Sequence, residues 1–408
     1  MKEFNTTAVC IHSKHYMVDL SERVKEIKKL VDDGKYFTIN RARQYGKTTT
    51  LAVLDSALSK DYYVVSMDFQ DYGDDTFRDP DSFCRDFISD FCSLLQDRID
   101  HNNHSLLEEI QELLDISDAI EKPLRLFTMF KGIKKIWDSS DKPIVLFIDE
   151  VDSATNNQLF IDFLAALRSH YLKREKNTKY NTFQSVILAG VTDVKHLKSK
   201  IRSEEDSKEN SPWNIAADFT IDMSLSEDGI KGMLDEYEAD HHTGMNTEAI
   251  AKSIREYTNG YPFLVSRICQ LIDEKVSKTL ELSKAWTDIG IDEAIKQILG
   301  ENNTLFQSLT KNLNNYPEMK TAIRSILMEG TKLTWNPDQE DIVQMQMYGL
   351  IRNDHNTVRV ANRIFETRLY NLFLSDEELK NNVFSREGEL EKNIGSNEKC
   401  VGEMAANP

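Results

Sequence analysis

Two short runs, Pro143–Ile148 and Ser185–Val191, are almost continuously apolar, with no alternation of polar and apolar residues. Strands of that composition are buried on both faces, as in a parallel sheet covered by helices. Two further strands are expected at Tyr36–Asn40 and at Tyr62–Phe69, the latter rich in β-branched and aromatic residues. Between them a helix opens at Gly46-Lys47-Thr48 and runs to Leu58. A long helical region follows from about Asp81 to Trp137, with breaks near Asn102 and Pro123. Strands that alternate with helices predict a doubly wound α/β sheet. Such sheets take their ligands at the carboxyl ends of the strands. Both Gly46-Lys47-Thr48 and Asp149-Glu150 fall there.

That placement gives the two segments a chemistry. A phosphate chain is best met by converging backbone N–H groups that lead into a helix N-terminus, whose dipole adds favourable potential. A lysine then reaches the outer phosphates and a Ser or Thr hydroxyl ligates magnesium. Lys47 and Thr48 are placed for those roles, Gly46 allows close backbone approach, and Ala42, Arg43, Gln44 and Tyr45 form the loop, with Thr49 following. The usual pattern has a glycine five positions before the second glycine; Arg41 stands there instead. Arginine at this position implies a loop that avoids the positive φ a glycine would tolerate. Arg43 is read either as a phosphate or partner contact or as plain surface charge.

The run that ends in Asp149-Glu150 supplies the second half. Asp149 can hold the magnesium shell and Glu150 can polarise an attacking water. An acidic turn after a strand is the alternative reading of this pair alone, but its combination with the loop is far more specific. Thr192 and Asp193, after the next strand, are candidate γ-phosphate sensors or simply a solvated strand end. Neither His101 with His104 nor His241 with His242 is completed by a cysteine or carboxylate cluster, so surface histidines are the preferred reading.

A formal net charge of −18 disfavours nucleic acid as a general partner. The scattered basic stretch from Lys173 to Arg202 leaves room only for weak or local DNA contact and otherwise reads as a solvated face. Nothing approaches the roughly 18 apolar residues of a membrane span, and the N-terminus lacks a signal pattern. Five scattered cysteines read as free thiols, and the expected location is cytoplasmic.

The remainder of the chain turns helical after Ile221. Glu227–Asp240, Asn246–Tyr257 and a helix from Tyr261 to about Lys278 have the lengths of a small lid. Leu350–Val360 reads as a hairpin behind further helices, suggesting a winged-helix domain. The expected boundaries are 1–222 for the core, 223–280 for the lid, 281–375 for the winged helix and 376–408 for a loosely ordered tail.

Phe4-Asn5-Thr6-Thr7, His15–Asp19, Tyr36–Thr48, Phe147–Ser153, Ser211–Phe219 and Gly260–Arg267 resemble a clostridial-type bacterial AAA-like ATPase family over roughly residues 4–375. That family looks like a branch of the AAA+ and STAND P-loop NTPases. The resemblance implies a P-loop NTPase (AAA+-like) α/β core, a helical lid and a C-terminal winged-helix domain. Arginine at the first loop position is usual there, so Arg41 does not signal a dead site. By the same resemblance Gly260-Tyr261-Pro262 corresponds to a Gly-x-Pro motif, which puts Pro262 near the base and ribose. Arg267 occupies the place of a lid arginine that senses the γ-phosphate, and a surface salt bridge is the other reading for it. His15-Tyr16-Met17 corresponds to an adenine-side lining. Members of the family often carry a PD-(D/E)xK nuclease-like domain after the winged helix; this chain is expected to lack it.

The function expected from these features is a slow, magnesium-dependent ATPase switch with ATP and Mg2+ as ligands, Lys47 and Glu150 as catalytic groups, and a protein partner of unknown kind. Oligomerisation is possible on this reading, with Arg168 and Arg202 as candidate fingers in trans. The other expectation is a winged-helix DNA- or protein-binding module in which ATP is a structural ligand without turnover.

Overall fold

The computed structural model describes residues 2–100, 102–119, 122–191, 194 and 212–379. Thr192, Asp193, His101 and Arg202 lie outside the described residues, as do most of the basic stretch beyond Lys179 and residues 380–408 of the tail. The chain divides into two units, one of residues 1–294 with 346–349 and one of residues 295–345 with 350–408.

In the first unit, β1 (Phe37–Asn40), β2 (Tyr63–Asp68), β3 (Ile144–Asp149) and β4 (Ser185–Gly190) form a parallel sheet in the order β1-β4-β3-β2. The two continuous apolar runs are the two central strands, and every residue of β3 and β4 is buried. The physical reason is the helices on both faces. Phe37, Ile39, Val145, Phe147 and Ile187 pack against α1 (Ser21–Asp32) and α2 (Lys47–Leu58). Val65, Leu146, Ile148 and Leu188 face the other way. There they meet α3 (Pro80–Gln96), α4 (His104–Asp118), α5 (Leu126–Ser139) and α6 (Gln158–Lys176). The breaks expected near Asn102 and Pro123 separate α3, α4 and α5. Asn103 caps α4 with its side chain on Leu106 N–H. One polar group inside this core is satisfied by an equally buried partner: Trp213 Nε1 donates to Thr38 Oγ1 at 2.9 Å.

From Ala217, which bridges Phe37 at the free edge of β1, a linker without regular structure leads to the next helices. These are α7 (Glu227–His241), α8 (Thr247–Thr258) and α9 (Pro262–Leu271), followed by a π-helical stretch Ile272–Val276. Ser226 and Asn246 cap α7 and α8 through their side chains, and Pro262 takes the first turn of α9, where a missing N–H does no harm. Gly260, with φ 69°, is pressed on the linker so closely that a Cβ would lie 2.2 Å from the carbonyl oxygen of Leu225. Gly260→Ala is therefore expected to destabilise the first unit by about 2 kcal/mol or more, from left-handed backbone strain plus a clash with main chain. A denaturant melt that left the midpoint unchanged would contradict this packing.

The second unit contains helices Thr304–Asn315 and Pro317–Met328, the hairpin of β5 (Ile351–Asp354) and β6 (Thr357–Val360), and a helix over residues 363–379. The hairpin expected at Leu350–Val360 is thus present. Its two turn residues, His355 and Asn356, both have positive φ, as a two-residue turn matched to strand twist requires. Among the described residues no helix is long and apolar enough to cross a membrane.

Candidate nucleotide site

The loop between β1 and α2 ends at Gly46, whose φ of 78° makes it the left-handed N-cap of α2. Space does not demand glycine there, since a Cβ would meet the Pro262 ring only at 3.8 Å; the backbone angle does. Arg41 is not among the residues with positive φ, whereas Gln44 is, at 58°. The left-handed turn therefore falls later in the loop, and Arg41 needs no glycine-like freedom.

Lys47 is buried, and its ammonium donates to the carbonyls of Arg41 and Ala42 at 3.0 and 3.1 Å. Burial draws its pKa below the ordinary lysine value, while Glu150, Asp152 and Asp149 act to keep it charged. Thr48 Oγ1 donates to Asp149 Oδ2 at 2.8 Å, and Asp149 Oδ1 accepts from the Glu150 N–H at 2.9 Å. Glu150 itself is left-handed, with φ 51°, which breaks the strand after Asp149. Burial raises its pKa, and Lys47 opposes the rise.

Two carboxylates that the sequence did not single out complete this edge. Asp68 ends β2 in register with Asp149, and burial, then the charge of Asp149, raise its pKa. Asp152 accepts from the Val191 N–H at 2.7 Å, tying the end of β4 to the turn after β3. Gly190 is required by space at that junction, because a Cβ would come within 2.8 Å of Val151 Cγ2. The strand expected over Tyr62–Phe69 ran one residue past Asp68, so the strand-terminal position that marked Asp149 became visible for Asp68 only in the structure.

Beside the loop lies a cavity of about 380 Å³, within the ~300–1,000 Å³ range of small-molecule sites. Gln44, Gly46, Thr49 and Pro262 line it, with Leu225 of the linker, Met233 of α7, and Phe263 and Ser266 of α9. A third wall comes from the N-terminal segment Asn5–Ala8 with Cys10, whose N–H donates to Thr49 Oγ1 at 3.1 Å. Met17 also lines the cavity. Tyr16 is directed instead to Asp240, to which it donates at 2.8 Å, and His15 Nδ1 accepts from Ile11 N–H. Arg43 is exposed, and its carbonyl accepts from Tyr261 Oη at 2.5 Å; Tyr45 packs edge-on to the same ring. Arg267 is not among the cavity residues; it donates to Gln270 Oε1 at 2.6 Å, the oxygen that also accepts from Thr6 of the cavity wall. Thr192 lies outside the described residues. The N-terminal wall carries no periodic pattern from which a sequence reading could have derived it.

The sequence matches the AAA-like domain family over residues 4–375. The chain belongs to that family. The fold of this AAA-like protein is shared with a Walker-type ATPase of Pyrococcus abyssi, at 13% identity and a TM-score of 0.55, covering 90% of this chain and 99% of that one. The ORC2 protein of Aeropyrum pernix is similar at 10% identity and a TM-score of 0.45, over 92% and 97% of the two chains. An uncharacterized WD repeat-containing protein of Synechocystis is 26% identical over 274 residues, which are 65% of this chain but only 21% of that protein. The chain therefore corresponds to about a fifth of that relative's length. At 13% identity the likeness to the Pyrococcus abyssi protein is one of fold.

Proposed function

We propose that this AAA-like protein binds ATP with magnesium between the phosphate loop and the lid and hydrolyses it slowly, as a nucleotide-operated switch. The observation that carries the proposal is the contact between Thr48 Oγ1 and Asp149 Oδ2, 2.8 Å apart although the residues are 101 positions apart in sequence. A hydroxyl at a helix start and a carboxylate at a strand end are two hard oxygen ligands brought together, which is what Mg2+ needs alongside phosphate. The donor set fits the group: Lys47 carries a buried ammonium, and an adjoining cavity has room for a base and ribose.

Thr48 and Asp149 would hold the metal, which when bound supplies neutralising charge to the outer phosphates. Lys47 would exchange its two loop carbonyls for those phosphates, and the N–H groups of the loop and of the first turn of α2, from Arg43 to Thr49, would be the backbone donors to them. Glu150 accepts a proton from water as general base. Pro262 bounds the base and ribose side, and Arg267 and Thr192 are assigned to sensing the γ-phosphate. Residues 223–280 act as the lid and 281–375 as a winged-helix domain that docks a partner. The Arg352 and Arg359 guanidiniums both lie within 4 Å of Asp354 on the same hairpin, at 3.9 and 3.7 Å. That internal compensation favours a protein partner over DNA.

The test is an ATP titration with and without Mg2+. Magnesium is expected to tighten binding about tenfold, near 1.4 kcal/mol, and Asp149→Asn to remove most of that gain. Equal affinities of the unmodified protein in Mg2+ and in chelator would overturn the metal assignment.

A further inference from the structure

The arginine that replaces the first loop glycine has a use of its own. Its N–H donates to Gly190 O at 3.1 Å, extending the β1–β4 pairing by one residue, and its carbonyl accepts from Lys47. Its guanidinium does not turn toward the phosphate side. Nη1 donates to Asn40 O at 2.8 Å and Nη2 to Ile221 O at 2.9 Å, with the plane 5.4 Å from the Phe219 ring centre. Ile221 belongs to the irregular linker between the sheet edge and α7. A second guanidinium, that of Arg23 from α1, caps Ser224 O of the same linker at 3.0 Å. Leu225 then donates to Gly260 O at 2.8 Å, so the linker also holds the turn that starts α9.

We propose that Arg41 is a positioning residue that couples the phosphate loop to the lid through the carbonyl of Ile221. This rests on the nucleotide reading above and extends it. In the structure Lys47 satisfies the carbonyls of Arg41 and Ala42. When the ammonium moves to a phosphate, both carbonyls lose that donor and their peptides are free to turn. Arg41 is the residue whose backbone feels this change and whose side chain grips the linker. A planar fork serves Asn40 O and Ile221 O while lying against Phe219, which suits arginine better than lysine at this position. The next helix N-cap, Ser226, is five residues beyond Ile221, so a shift of the linker is passed directly to α7.

Hydrogen exchange on the full chain, with and without saturating ATP, tests this for Arg41→Met and Arg41→Lys. Without nucleotide, Arg41→Met is expected to raise exchange across residues 217–226 by about tenfold, read at the bonded amides of Ala217 and Leu225, by local opening. Peptides of β2 and α3 are expected to stay as in the unmodified protein. With ATP, the exchange change in α7 is expected to fall to less than about half, and Arg41→Lys to restore part of it. Linker exchange within about twofold of the unmodified protein, or an intact ATP-dependent change in α7, overturns the proposal. Loss of all ATP binding in Arg41→Met also overturns it, because Arg41 would then be a phosphate contact. Should Arg41→Met raise exchange everywhere, Arg41→Lys is judged by the same linker criterion. If the unmodified protein binds no ATP, the nucleotide reading fails, and the nucleotide-free comparison still decides whether the clamp exists.

Discussion

Lys47→Ala is expected to weaken ATP binding by roughly 10- to 150-fold, the loss of about 1.5–3 kcal/mol of charge-assisted hydrogen bonding. The ammonium is already buried and held by two carbonyls beside the loop, so on the proposed reading it would have only a short way to move to reach the phosphates. Burial works against its charge. Removing it therefore relieves a desolvation cost even as it strips Arg41 O and Ala42 O of a donor, and these effects oppose each other in the folded state. The expected result is lost affinity with a nearly unchanged melting temperature. Calorimetric titration and a thermal melt on the same sample separate this from general unfolding; a large fall in melting temperature with affinity retained would refute it.

Glu150→Gln is expected to lower the hydrolysis rate by about 10²–10⁴-fold while ATP still binds, the usual range for loss of a general base. The amide matches the carboxylate in shape, so the left-handed turn at residue 150 is kept. Burial raises the Glu150 pKa, and only the ionised form can take a proton. The acid limb of the rate profile should therefore lie above the ordinary glutamate range and vanish in the variant. The stability effect has the opposite sense. A carboxyl whose folded pKa is raised contributes stability that is fully present below its unfolded pKa and is lost as pH rises through the folded pKa. At neutral pH the ionised Glu150 is thus a small burden, and Glu150→Gln should melt no lower than the unmodified protein. Steady-state phosphate release between pH 5 and 9, set beside melts at neutral pH, checks both signs.

Much of this was legible in the residues themselves. Continuous apolarity in Ile144–Ile148 and Val186–Ala189 marked strands buried on both faces and, at the end of the first, Asp149; that these two are the central strands came from the structure. Gly46-Lys47-Thr48 was legible because its chemistry is local: a turn, a helix start and a side chain in sequence. The cavity was legible only in part: Gln44, Gly46, Thr49, Pro262 and Met17 were expected beside the nucleotide, but the walls from residues 5–10, α1 and α7 are joined to them only by folding. Asp152 was likewise hidden, since its partner Val191 is 39 residues away and nothing in the spacing marks it. Arg41 is the instructive case. The sequence exposed it as an exception to the loop pattern, but its meaning required Ile221, 180 residues later.

The central claim is that the loop from Arg41 to Thr48, with Asp149, binds a magnesium nucleoside triphosphate. Isothermal titration of the purified chain with MgATP tests it most directly. The account predicts saturable binding at one site per chain, with a dissociation constant below about 1 mM, and markedly weaker binding by Lys47→Ala in the same buffer. A flat titration of a folded, unmodified protein, or equal binding by both proteins, would contradict it.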